Sequence, residues 1–87
     1  MLEFRKQLIE KILQSHDETE VEAIIKNAAN LMLENGTNKH IIARFEMRLE
    51  SDLIFVQQQP HNETVRKNLK EALRVIHKNA EELQNAG

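Results

Sequence analysis

The chain has 87 residues, of which 40% are hydrophobic and 30% are charged, and its formal net charge at pH 7 is -2. This balance is typical of one small globular domain rather than a disordered chain, and it argues against a general nucleic-acid binder. Cysteine is absent, which excludes disulfides and thiolate zinc ligands, and small chains without such cross-links are more often oligomeric. We therefore expect a single domain over residues 1–87.

Apolar residues recur at helical spacing in four segments, and two glycines and one proline leave room for long helices. We predict helices over about residues 2–14, 18–34, 38–58 and 63–85. Short links between four amphipathic helices predict an all-α fold, a small antiparallel bundle in up-down-up-down order. The alternative is a long helical hairpin with a short helix packed across it.

The first connection, SHDETE, offers several N-caps for the second helix. Ser15, Asp17 and Thr19 all have side-chain oxygens that can accept a hydrogen bond from the first turn. Ser15 precedes Glu18 by three residues, and Thr19 precedes Glu22 by three, which is the spacing of a capping box. The sequence leaves the choice among the three open.

The other helix boundaries are marked by single residues. Gly36 can take the left-handed conformation that ends the second helix, and Thr37 or Asn38 can cap the third. This short link predicts that the second and third helices form an antiparallel hairpin. The residue before Pro60 is disfavoured in a helix, so the third helix should end near residue 58, and Asn62 should cap the fourth.

The third helix has apolar residues on two faces. At about 100° per residue, one group covers an arc of about 120°, which is an ordinary core stripe. This group is Ile41, Ile42, Phe45, Leu49, Leu53 and Val56. Ala43, Met47 and Ile54 lie nearly opposite, and Phe55 stands apart from both groups. A surface helix of a bundle needs one apolar face, so the second face requires an explanation.

The second face has three explanations. Scattered surface hydrophobic residues are common, and the bundle could bury more of this helix than a single stripe implies. We favour an interface formed by Ala43, Met47, Ile54 and Phe55, because methionine suits adaptable contact surfaces. The simplest partner is a second copy of the chain, since twofold dimers are the commonest oligomers.

The fourth helix has a cationic strip beside its apolar stripe. The strip comprises Arg66, Lys67, Lys70, Arg74 and Lys78. It could bind the phosphates of a nucleic acid or an acidic protein. A solvated face is the simpler interpretation, because long basic side chains often cover the flank of a buried stripe, and the acidic start of the second helix can pair with them. No aromatic residue is interleaved for base stacking.

The sequence contains none of the common catalytic or metal-binding motifs. Neither an HExxH motif nor a glycine-rich phosphate loop is present. His77 and Glu81 are four residues apart on the fourth helix and could share a metal ion, but two ligands are too few for a defined site. We predict no catalytic residue, no metal and no cofactor.

These features predict a non-catalytic protein–protein interaction module, an adaptor, regulator or assembly subunit, that forms a homodimer chiefly through the third helix. A nucleic-acid-associated regulator that uses the cationic strip is the alternative, and an enzyme or metal protein centred on His77 ranks third. The N-terminal segment lacks a continuous apolar region, and no run of about 18 apolar residues occurs. We therefore expect no signal peptide, no membrane partner and a cytoplasmic location.

Overall fold

A computed structural model of the chain describes the backbone of residues 2–85 and the side chains of residues 3–82. Met1, Ala86 and Gly87, which the predicted domain includes, lie outside the described residues. The helices are α1 (Leu2–Gln14), α2 (Glu18–Glu34), α3 (Lys39–Gln57) and α4 (Glu63–Asn85). The predicted all-α bundle is confirmed, and α3 is one residue shorter at each end than expected. None of the helices, over the part of the chain described, is long and apolar enough to cross a membrane.

Side-chain caps fix where three helices begin. Asp17 accepts a hydrogen bond of 2.9 Å from the N–H of the third residue of α2, so it is the cap among the three candidates. Asn62 does the same at the start of α4, at 2.9 Å, and Asn38 accepts from the N–H of the second residue of α3, at 2.7 Å. Ser15 is buried instead, and its hydroxyl donates to the Lys11 carbonyl at 2.8 Å, which extends the end of α1.

The end of α2 depends on a glycine, as predicted. Gly36 has φ of +79°, and its N–H donates to the Leu33 carbonyl at 3.0 Å. The N–H of Thr37 reaches back to the Met32 carbonyl at 2.9 Å. This pair of bonds is the Schellman motif, which satisfies two carbonyls that the end of a helix otherwise leaves without partners.

Helix α4 occupies the centre of the packing. With 23 residues it is about 34 Å long, close to the 38 Å longest dimension of the molecule. Its contacts with α2 and α3 are the most extensive between any two helices, whereas α2 and α3 contact each other much less. In an up-down-up-down square α2 and α4 would be diagonal, so their close packing departs from the expected order. The buried apolar residues of α4 are Leu69, Ala72, Val75 and Ile76.

The core combines apolar residues from all four helices. Its buried members are Leu8, Ile12, Val21, Ile25, Ala28, Met32, Ile42, Phe45, Leu49, Leu53, Leu69, Ala72, Val75 and Ile76. The predicted core stripe of α3 is confirmed at its four central positions, and Val56 packs against the core. Ile41 was wrongly included, because it lies at the edge of the stripe in the first turn and is 49% exposed. Two polar side chains that the sequence did not mark, Glu46 and Asn68, are buried.

Asn68, in the interior, joins α4 to the end of α1. Its side-chain amide donates to the carbonyl of Ser15 at 2.7 Å and, more weakly, to that of Ile12 at 3.4 Å. Carbonyls at the end of a helix lack intrahelical partners, and buried ones must find a donor elsewhere. Asn68 therefore caps α1 from a helix that lies more than fifty residues away in sequence.

Asn68→Ala is expected to lower the free energy of unfolding by about 1–3 kcal/mol, because the Ser15 carbonyl, just after α1, loses its buried hydrogen bond to the Asn68 amide. Urea denaturation followed by circular dichroism measures the change. Asn27→Ala, at an exposed position of α2, is the matched control and should change stability by less than about 0.5 kcal/mol. Equal effects of the two substitutions would contradict the capping role.

Candidate functional site

Helix α3 is held on two flanks by neighbouring helices. On one flank, Arg5 of α1 donates to Asp52 at 2.8 Å. On the other, the Nε2 atom of His77 in α4 lies 3.2 Å from the carboxylate of Glu50. Glu50 and Asp52 bracket Ser51 in sequence and point about 160° apart around the helix. Ser51 therefore lies in the middle of the remaining face, which no described part of the chain covers.

We call this remaining surface the outer face of α3. It consists of Arg44, Met47, Arg48, Ser51, Ile54 and Phe55. Met47 and Phe55 are each 66% exposed, and Ile54 is 42% exposed. Three of the four residues predicted for the interface thus share one exposed surface. Ala43, the fourth, is half-buried and lies at the border with α4 rather than on the outer face.

The composition of the outer face differs from that of an ordinary solvated helix surface. It carries no lysine and no glutamate, although both residue types are abundant elsewhere in the chain. Methionine, aromatic residues and arginine are enriched at the cores of protein interfaces, whereas lysine and glutamate are depleted there. Met47, Ser51 and Phe55 follow one another at four-residue steps and form a ridge along this face. The outer face therefore has the residue types and the relief of a contact surface.

Two of the five cations in the cationic strip of α4, Arg74 and Lys67, have carboxylate neighbours in the same chain. Arg74 makes two hydrogen bonds to Glu71, at 2.8 and 2.6 Å, and lies 3.9 Å from Glu22 on α2. The hydrogen bond from Arg74 lowers the pKa of Glu71. Lys67 lies 3.8 Å from Glu63. Of the acidic residues near the start of α2, Glu22 lies within ion-pair distance of the strip, through Arg74.

The remaining members of the strip are divided between its two ends. Arg66 and Lys70 line an open depression of about 500 Å³ beside the turn that leads to Pro60. Lys78 lies near the other end of the strip, close to Glu22. A hydrogen bond from Lys26 is the main cause of the lowered pKa of Glu22, and the positive charge of Lys78 adds to the effect. The structure does not bring the five cations together as one free row.

His77 lies at the contact between α4 and α3. Its side chain is 71% exposed and pairs with Glu50 across the α3–α4 contact. Among the residues whose side chains are described, no group of three histidine, aspartate or glutamate residues is placed to hold a metal ion. The contact that the structure shows for His77 is therefore between helices, with Glu50 of α3.

A second candidate site is a groove that the sequence did not reveal. It opens between α2 and the second half of α4, over the first half of α3, with a volume of about 380 Å³. Most of its lining surface is formed by apolar atoms, and its apolar residues are Ala29, Leu33 and Ile42. Leu33 is 43% exposed, as a residue on the wall of an open groove should be.

Glu46 lies at the floor of this groove. It is 2% exposed, and neither carboxylate oxygen has a hydrogen-bond partner among the described residues. Burial raises the pKa of Glu46 to about 7, and the neighbouring amide of Asn79 opposes this rise without making a hydrogen bond of good geometry. The burial of Glu46 has one signal in the sequence. On the helical wheel of α3 Glu46 lies about 20° beyond Leu53, at the border of the core stripe. A buried carboxylate without a partner is costly, so its presence in a groove requires an explanation.

Comparisons of the chain with models of protein families, with curated proteins and with solved structures find no match in any of the three. The outer face of α3 and the groove are therefore the two features of the molecule that bear on its function.

Proposed function

We propose that this protein is a non-catalytic interaction module that forms a homodimer through the outer face of α3. The observation that carries the proposal is the exposed ridge of Met47, Ser51 and Phe55, flanked by arginines rather than by lysine or glutamate. Large apolar side chains that are two-thirds exposed favour association, because association removes their surface from water.

The ridge suits a twofold pairing of two α3 helices. Its ends, Met47 and Phe55, lie four residues to either side of Ser51, so an antiparallel crossing near Ser51 brings Met47 next to Phe55 of the partner subunit. The reverse contact follows from the symmetry. Ridges of four-residue spacing pack at a crossing angle of about −50°, and the small serine at the crossing lets the helices approach closely. Contacts between methionine sulfur and an aromatic ring add to the attraction.

The alternative function, binding of nucleic acid by α4, receives less support. Binding of phosphates requires several cations that are available at once. Arg74 and Lys67 instead have carboxylate neighbours within the chain. These neighbours leave Arg66, Lys70 and Lys78 as the cations of the strip that could bind phosphates.

Sedimentation equilibrium tests the dimer. The apparent mass of the wild-type chain should rise from 10.2 kDa towards twice that value as the protein concentration increases from about 1 µM to about 1 mM. The double substitution Met47→Glu with Ile54→Glu should hold the mass at that of the monomer without loss of helicity, because it places carboxylates on a surface that association must desolvate.

Leu31→Glu provides the matched control for this experiment. Leu31 is 50% exposed on α2, similar in exposure to Ile54, but it lies away from α3's outer face. The control should associate as the wild type does. A wild-type chain that stays monomeric over the whole range, or a control that dissociates as fully as the double variant, would contradict the proposal.

A further inference from the structure

We propose that the groove between α2 and α4 binds a primary alkylammonium ion, with its hydrocarbon chain against Ala29, Leu33 and Ile42 and its ammonium group at Glu46. This binding site is separate from the outer face of α3 and does not require dimer formation. The ligand class is a small amine with one positive charge and an unbranched apolar tail.

The buried carboxyl group supplies the recognition. Glu46 belongs to the lining of the groove, is 2% exposed, and has both oxygens without hydrogen-bond partners among the described residues. Buried charges in proteins are normally paired, and hydrogen bonds between ionised groups are about twice as strong as neutral ones. A cationic donor in the groove would satisfy both oxygens at once.

The number of acceptors at the floor fits an ammonium group. An ammonium ion has three N–H donors, and the floor offers the two oxygens of Glu46 and the side-chain carbonyl oxygen of Asn79. The oxygens of Glu46 are covered by protein, and the side chain of Asn79 is a neighbour of Glu46. Binding by this route requires Asn79 to rotate, so that the carboxylate becomes accessible and the Asn79 carbonyl turns towards the ligand.

The walls select a ligand with one charge and an apolar tail. The groove has about 380 Å³, within the range of small-molecule sites, and its lining is mostly apolar. Lys26 and Lys39 belong to the same lining, and Lys26 pairs with Glu22 at 2.8 Å. Glu82 also belongs to the lining, so a second ammonium group at the outer end of the ligand would meet two lysines and one carboxylate. The excess of positive charge there favours a monoamine over a diamine.

Titration with hexylammonium tests the proposal in wild-type protein by two-dimensional amide NMR. We expect saturable shifts at Ala29, Leu33, Ile42 and Glu46. Hexanol, which has the same tail without the charge, should bind at least about tenfold more weakly, because it lacks a charge-assisted hydrogen bond. Equal binding of hexanol and hexylammonium would overturn the assignment of Glu46, and the absence of saturable shifts would overturn the site.

A pair of matched substitutions on α3 extends the test. Glu46→Gln removes the charge with little change of shape and should weaken hexylammonium binding about tenfold or more. Glu50→Gln, outside the groove, should leave the affinity unchanged. A lysine-containing peptide provides a further comparison. Binding of the peptide without binding of hexylammonium would overturn the small-molecule assignment in favour of a protein ligand.

Discussion

Replacement of Glu46 by leucine is expected to raise the free energy of unfolding at pH 8 by about 2 kcal/mol. At this pH the carboxylate of the wild type is ionised in an environment where it is 2% exposed and has no partner among the described residues. Exchange of an unpaired buried charge for an apolar side chain of similar size removes the cost of its desolvation. Most core substitutions destabilise, so a gain of this size is a distinctive result.

The same carboxyl group predicts how stability depends on pH. Burial raises the pKa of Glu46 from 4.5 to about 7 in the folded state. Between these values the folded state retains a proton that the unfolded state has lost, so the free energy of unfolding falls as pH rises and levels off above about 7. At about 1.4 kcal/mol per pKa unit the fall is at most about 3 kcal/mol, and water in the adjoining groove reduces it to about 2 kcal/mol.

Other carboxyl groups do not obscure this window. Hydrogen bonds from Lys26 and Arg74, respectively, lower the pKa of Glu22 and Glu71. A lowered pKa contributes stability that is present above about pH 4.5 and is lost as pH falls through the folded-state value. Their contribution thus changes below the window in which Glu46 acts.

Urea denaturation of wild type and variants at pH 5, 6, 7 and 8, at one fixed protein concentration, measures the effect. Glu46→Gln should remove the fall in stability between pH 5 and pH 8, since the amide does not ionise. Glu50→Gln, on the same helix but paired with His77, is the control and should retain the fall. If the stability of the wild type and that of Glu46→Gln depend on pH in the same way, the claim that Glu46 is an unpaired buried carboxylate is wrong.

Much of the fold could be predicted because the signals are local. Helix stripes, caps and stops depend on residues within a few positions of one another, and Gly36, Asn38 and Asn62 all act as expected. The choice among Ser15, Asp17 and Thr19 could not be made, because each has the chemistry of a cap. Tertiary packing decides it: Ser15 is drawn into the interior beside Asn68, and Asp17 remains to cap α2.

What the sequence missed depends on contacts between distant segments. Asn68 caps α1 across more than fifty residues, and nothing near it in sequence indicates this role. Glu46 is buried at the floor of a groove that α2, α3 and α4 form together. The groove, and with it the candidate amine site, follows from the same arrangement.

The helical wheel predicts a second apolar face on α3, and the structure changes which residues belong to it. Met47, Ile54 and Phe55 are exposed together, although the wheel separated Phe55 from the other two. Ala43 lies at the border with α4, because the contact between Glu50 and His77 brings that edge of α3 close to its neighbour. Neighbouring helices determine which residues at the edges of a helix are buried, and a helical wheel of one helix does not include those neighbours.

The central claim, a dimer in which two α3 helices cross near Ser51, is tested most directly by a disulfide. The chain contains no cysteine, so Ser51→Cys introduces a single thiol. Helix axes 8–10 Å apart, each with its Cα atoms about 2.3 Å from the axis, place facing Cα atoms about 3.4–5.4 Å apart, and the upper part of this range lies within the roughly 4.4–6.8 Å that a disulfide requires.

Mild oxidation of Ser51→Cys should give a covalent dimer nearly completely, as seen by non-reducing electrophoresis. Glu10→Cys, at an exposed position of α1, should cross-link slowly and partially under the same conditions. Addition of Met47→Glu and Ile54→Glu should reduce the cross-linking of Ser51→Cys to the level of this control. Ser51→Cys that cross-links no faster than Glu10→Cys would contradict the dimer.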